Sequence, residues 1–157
     1  MQFVSPTYGV LSIEQMIRVI EEYLHEDPSA SYKIVIGTDS QTTRQATTYV
    51  TAVVIHRIGK GARFFFRKQQ GKPLFDLRHR IYRETDLSLQ LIDTLNKRGM
   101  SELLSIWPLE IHIDIGRQGD TKALITEIKG WVTSVGYTAC IKPDSFGASA
   151  VADRFTS

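Results

Sequence analysis

The chain has a single cysteine, Cys140, among 157 residues. An internal disulfide is thereby excluded, as is a metal cluster built from cysteines, and the usage fits a reducing compartment. Long apolar runs are missing too. None approaches the roughly 20 residues that span a bilayer. The opening "MQFVSPTYGV" lacks the basic-then-apolar pattern of a signal peptide. The expectation is a soluble, cytoplasmic protein without a membrane partner. The four histidines, His25, His56, His79 and His112, show no HxxxH-type spacing, which argues against a histidine zinc site. Cys140 falls in an apolar strand and reads as a buried, inert thiol. Net charge is only +2, too little to mark a nucleic-acid binder by itself.

What is present suits one globular domain. Residues 1–157 match a usual domain length, and the 42% hydrophobic content can supply a core. The charge is unevenly spread. Between Lys60 and Arg83 stand eight Lys or Arg and one acid, Asp76, so this segment carries +7 and the remainder −5. Such a block is either a solvated hairpin and helix start or a surface for a phosphate backbone.

The pattern of elements is α, then β-β-β-α-β-α-β-α. "SIEQMIRVIEEYL" opens a helix over residues 12–25, with Ser12 and Gln15 as a capping box and an apolar stripe from Ile13 to Leu24. This extension either packs on the sheet or meets a second copy of the chain in a homodimer. The core is expected over residues 32–155. "SYKIVIGTDS", "QATTYVTAVVIHRI" and "ARFFFRKQ" read as three strands, and Phe64, Phe65 and Phe66 cannot all face one core. Residues 74–98 read as mainly helical, with Gly99 as a stop. "LEIHIDIG" is a strand, "GDTKALITEIKGWVTSV" a helix, "GYTACIK" a strand and "SFGASAVADRFT" a closing helix. Helices between the later strands allow parallel crossovers. The fold class is α/β: a mixed five-stranded sheet with helices on both faces.

Several acids fall where such a sheet gathers ligands. Asp39 ends the first core strand, Asp114 lies near the end of the fourth, and Glu84 rides the helix between them. Asp144 precedes the last helix and Asp153 lies within it. Ligands collect beyond the carboxyl ends of central strands, and converging carboxylates repel one another unless cations bind. Oxygen-only donors favour Mg2+ or Mn2+, and a pair of such ions can activate water and stabilise a phosphodiester leaving group. Each acid also has an ordinary reading. Asp39 or Asp144 can serve a turn or cap, and Glu84 can pair with Arg80 or Arg83 on a helix surface.

The order of elements resembles the ribonuclease H fold. "IGTDSQ" resembles its first catalytic strand, "IHIDIG" its fourth, and "SAVADRFT" its terminal acidic helix, with Ser149 where an asparagine is common. A closer resemblance is to the YkuK-type family of predicted nucleases. It is carried by "GTDSQ" at 37–41, "RET" at 83–85, "HIDIG" at 112–116, "GWVTSVGY" at 130–137 and "KPDSFGASAVADRFT" at 142–156. The resemblance implies a metal-dependent nuclease in which Asp39, Glu84, Asp114 and Asp153 hold Mg2+ or Mn2+, with Asp144 the rival for the fourth place. It further implies that Arg63, Arg67, Lys68, Arg80, Arg83 and Lys142 take nucleic-acid phosphates. RNA, RNA–DNA hybrid and structured DNA all remain open as substrates.

Two other classes compete. A non-catalytic nucleic-acid-binding or oligomeric module of the same fold needs the basic surface but not the converging acids. A sugar-kinase-like phosphotransferase would need a second domain around its nucleotide, and 157 residues supply one.

Overall fold

The computed structural model describes residues 1–115 and 122–141. The chain opens with a hairpin, β1 (Gln2–Ser5) and β2 (Gly9–Ser12), followed by α1 (Ile13–Glu26). Three long antiparallel strands come next: β3 (Tyr32–Thr42), β4 (Thr47–Arg57) and β5 (Ala62–Gly71). Then come α2 (Leu77–Leu95), a kinked segment at Asn96–Met100, and α3 (Ser101–Ile106). β6 (Leu109–Ile113), α4 (Lys122–Ser134) and β7 (Thr138–Ile141) complete the described chain. The strands form one mixed sheet in the order β2-β1-β5-β4-β3-β6-β7.

Seven strands stand where the sequence suggested five. The two additions come from residues 2–12, where no alternating run long enough to announce a strand exists. Phe3 supplies the reason they form: it is fully buried, and β1 pairs antiparallel with β5 at Val4 and Phe66. The core order β-β-β-α-β-α-β is otherwise as read, with β6 and β7 parallel to their neighbours. The anticipated closing helix, "SFGASAVADRFT", lies outside the described residues.

The larger core cluster joins α1, α2 and α4 to one face of the sheet through residues such as Ile20, Ile34, Ile36, Phe65, Ile92 and Ile128. A smaller cluster on the other face uses Val35, Val50, Ala52, Val54 and Phe66, all from strands. The phenylalanine run thus divides by strand alternation: Phe65 enters the main core, while Phe64 and Phe66 serve the second face. The N-terminal extension packs on the sheet. Ser12 and Gln15 form the reciprocal cap of α1, with contacts of 2.8 and 3.1 Å. At its other end Arg57 lies 3.9 Å over the Tyr23 ring and donates to the Tyr23 carbonyl at 2.7 Å, a cation placed where the helix dipole is negative.

Gly99 does interrupt the long helix, as its φ of +108° requires, yet helical structure resumes as α3. The start of α2 is fixed more tightly. Thr42 donates to the Leu74 carbonyl, and the Leu74 amide donates to Thr47, each at 2.8 Å. Asp76 then caps the helix by accepting from the His79 amide at 3.1 Å. This strap lays the first turns of α2 against the end of β3.

Candidate active site

β3 outlasts its parallel neighbour. Its ladder with β6 runs from Ile34–Leu109 to Gly37–His112, whereas its ladder with β4 continues to Thr42–Thr47. Asp39 therefore lies inside a strand, opposite Val50, and not at a strand end or in a turn. This removes the turn-residue reading. Carrying the β3–β6 register two residues further brings Asp39 level with Asp114, which follows directly after β6. Both acids are half-buried.

The third acid arrives from the helix-covered side. Glu84, on α2, is 6% exposed. Thr38 and Ser40 point toward α2, because alternate strand residues share a face. Thr38 bonds the Ser88 hydroxyl at 2.8 Å and the Thr51 hydroxyl at 2.9 Å. Ser40 donates to Glu84 Oε2. Arg80, one helical turn before Glu84, donates to the Ser40 hydroxyl at 3.2 Å and to the Ser40 carbonyl at 3.1 Å. These contacts pin the helix to the strand by polar groups, at a level where apolar packing would otherwise be expected. Asp39 and Ser40, consecutive residues, thus address opposite sides of the sheet end.

Burial pushes the Glu84 carboxyl up to about 8, from an ordinary 4.5. The Ser40 hydrogen bond and the Arg80 charge pull it down, while the charges of Asp39 and Asp114 push it further up. Glu84 therefore feels the charges of both Asp39 and Asp114. Their donors are oxygen alone, which suits a hard dication such as Mg2+ or Mn2+. A cation here would relieve both the mutual repulsion and the desolvation of Glu84.

The profile of the "Ribonuclease H-like" family matches residues 15–157. The chain belongs to the ribonuclease H-like family. It is also similar to the "Uncharacterized protein YkuK" of Bacillus subtilis (strain 168), at 34% identity over 93% of this chain and 91% of that protein. The family match covers Asp39, Glu84 and Asp114.

The basic residues divide by location. Arg80 and Arg83 flank Glu84 on α2, and Arg83 is exposed and paired with Asp86 at 3.0 Å. Lys68 is exposed and sits opposite Val50, which in turn sits opposite Asp39. It therefore lies two strand spacings, roughly 10 Å, across the sheet from that acid. Arg63 is directed elsewhere: it stacks 4.5 Å over Tyr23 and donates to the Tyr8 hydroxyl. Arg67 lines a crevice with Phe3, Thr51 and Leu87. Asp144, Asp153 and Lys142 lie outside the described residues. Sequence reasoning missed the part played by Ser40, whose only signal was its place next to Asp39. It also missed a second polar group, Glu110, His112 and Cys140, because these residues meet across strands. Cys140 is half-buried and hydrogen-bonds Glu110, unlike the buried, inert thiol its apolar strand suggested.

Among the described residues, no helix is long and apolar enough to cross a membrane.

Proposed function

We propose that this ribonuclease H-like chain is a metal-dependent phosphodiester hydrolase acting on nucleic acid, with Asp39, Glu84 and Asp114 as the described part of its Mg2+ or Mn2+ site. The observation that carries the reading is the placement of Asp39 level with Asp114 at the sheet end, with the buried Glu84 carboxyl near enough for both to raise it. A folded chain without a catalytic use for them would tolerate that repulsion at a standing cost. Asp153 is the proposed fourth acid, with Asp144 its rival.

In this reading Asp39, Glu84 and Asp114 would hold the dications, whose chemistry there would be activation of a water and charge stabilisation at the departing oxygen. Water adds to phosphorus, the P–O bond to the leaving sugar breaks, and a proton reaches the leaving oxygen. Asp39 and Asp114 would supply the ligands from the strand side. Glu84 would be the ligand from α2, and Ser40, which donates to its Oε2, orients its carboxylate. Arg83 and Lys68 border the site and contact backbone phosphates, fixing register without reading sequence. Arg80 is engaged by Ser40, so its contribution is to hold the strand and helix together. Arg63 and Arg67, given their surroundings, are peripheral to the phosphate path. Cytoplasmic residence follows as part of the same proposal.

The test pairs calorimetry of Mg2+ and Mn2+ binding with cleavage of labelled RNA, DNA, RNA–DNA hybrid and junction substrates, for wild type and Asp114→Asn. Metal binding and cleavage lost together support the nuclease and identify its substrate. Metal binding without cleavage of any substrate favours the non-catalytic binding module. No metal binding by the folded chain, even with nucleic acid present, removes the proposal.

A further inference from the structure

The β6–β7 edge of the sheet carries a second group of ligand-type side chains, distinct in chemistry from the three acids. His112 and Cys140 are direct partners in the parallel β6–β7 ladder, and adjacent partners in a parallel pair turn their side chains to one face. Glu110, two residues before His112, shares that face. The ligand atoms of the three lie within 4.8 Å of one another. His112 Nε2 stands 3.1 Å from Glu110 Oε1, and the Cys140 thiol hydrogen-bonds Glu110. All three line a cavity of about 480 Å³, whose remaining walls include Val35, Val54 and Phe64.

The trio offers one oxygen, one nitrogen and one sulfur. That set is poor for Mg2+ and suits a borderline dication such as Zn2+. A tetrahedral Zn2+ with bonds of ~2.0–2.3 Å holds its ligand atoms roughly 3.3–3.7 Å apart. The His112–Glu110 gap is close to that value already, and the widest gap closes with small side-chain rotations. Three protein ligands leave one tetrahedral position open, and the cavity offers room for a water or a small ligand there. One feature opposes a cation: Lys33 Nζ lies 3.3 Å from Glu110 Oε2. It occupies the carboxylate oxygen turned away from His112, so Oε1 is still available to an ion, at reduced affinity.

We propose that Glu110, His112 and Cys140 form a mononuclear site for a zinc-class dication, open toward the cavity and adjoining the acidic site, since His112 stands two residues before Asp114 and lines a small crevice with Thr38 and Glu84. On binding, the Cys140 thiol releases its proton to solvent and the resulting thiolate takes the ion. No oxidation state changes. The proposal stands apart from the nuclease reading and does not need it.

The test titrates Co2+, as an optical stand-in for Zn2+, into the full-length reduced chain without Mg2+. The readout is the thiolate-to-cobalt charge-transfer band. The expected result is a band that saturates at one equivalent per chain, bleaches on adding Zn2+, and survives in Asp114→Asn. Because Cys140 is the sole cysteine, the band must also weaken when the other ligands change. Glu110→Gln, which keeps the side chain's shape, and His112→Asn should each lower Co2+ affinity by ~10–100-fold or more. A folded wild type without the band overturns the proposal. So does a band whose affinity is the same in wild type and folded Glu110→Gln, since a lone thiol would then explain it. Mg2+-dependent cleavage, measured separately, is unaffected by either failure.

Discussion

Glu84 and Glu110 both lie against the central sheet, and their surroundings drive them in opposite directions. Glu84 is buried among carboxylates and its carboxyl rises to about 8. Glu110 is partly buried as well, and burial alone would raise it. Hydrogen bonds from His112, Cys140 and Lys33 outweigh that and hold it below the ordinary carboxylate range. At the first site the Arg80 charge is opposed by those of Asp39 and Asp114, whereas at the second Lys33 acts directly on Glu110. A hard dication therefore has most to offer at Glu84. At Glu110 an incoming ion must compete with Lys33, and its advantage must come from bonding to sulfur and nitrogen.

The sharpest way to break this contrast is to remove one acid at the first site. Asp39→Asn or Asp114→Asn should lower cleavage by ~10²–10³-fold or more, the scale of losing one preorganised electrostatic contact. Both should also weaken Mg2+ binding in calorimetry. The same changes should leave the cobalt band at Cys140 in place. If Glu110→Gln abolished cleavage as thoroughly as Asp114→Asn, the two sites would be one functional unit and the contrast would fail.

A second difference lies in how stability follows pH. Since the folded pKa of Glu84 is raised, the folded chain keeps a proton there that the unfolded chain loses above about 4.5. Stability without dications is full below that pH and falls as pH rises through about 8. The loss is on the order of a few kcal/mol, at ~1.4 kcal/mol per pKa unit. Glu84→Gln should flatten this slope and make the metal-free chain more stable at pH 8, while abolishing cleavage. Adding Mg2+ should restore wild-type stability at high pH. Urea unfolding at pH 5 and pH 8, with and without Mg2+, reads all three. A wild-type chain equally stable at both pH values without metal would show that Glu84 is not held as a strained acid.

Much of the first site was legible in the sequence, because its signals are local. β-branched runs announced β3 and β6, and an acid followed each apolar segment. The apolar spacing of Ile81, Leu87, Leu91 and Leu95 gave the helix that carries Glu84. What could not be read was the reach of β3 beyond Ser40 to Thr42, since pairing with β4 alone sustains it there. That is why Asp39 was expected at a strand end. The β1–β2 hairpin was illegible for a similar reason: its four-residue strands are held by pairing with β5 and by burial of Phe3. The second site was legible only in part: alternation along "LEIHIDIG" puts Glu110 and His112 on one face, but nothing announced Cys140 beside them. Residues 110 and 112 meet residue 140 only through the lateral register of two parallel strands, and no spacing rule encodes that register.

Ser40→Ala is a gentler change at the first site. It deletes the hydrogen bond that pulls the Glu84 carboxyl down, so Glu84 should hold its proton to still higher pH. It also removes one contact of Arg80. Mg2+ affinity at pH 7 should fall by roughly tenfold, about the 1–3 kcal/mol of a lost buried hydrogen-bond partner, with a smaller loss at pH 9. Equal losses at both pH values would indicate that Ser40 acts through Arg80 and the strand alone.

The smallest effect belongs to Lys33→Met at the second site. Lys33 is 37% exposed, so solvent screens its pair with Glu110, and thermal stability should change by less than ~1 kcal/mol. Cleavage should be unaltered, because the lysine is remote from the three acids in the sheet: it lies six residues before Asp39 on β3, ~20 Å along the strand. Co2+ affinity should rise several-fold, since a competing cation is gone while Glu110, His112 and Cys140 remain. The substitution keeps an unbranched side chain against the apolar wall of the cavity, so packing is little disturbed. A fall in Co2+ affinity would reverse the assignment of Lys33 from competitor to positioning residue, with its grip on Oε2 turning Oε1 toward His112. Either direction of change would separate the two glutamates further, because no lysine bonds Glu84 among the described residues: Ser40 takes that place and is itself bonded by Arg80.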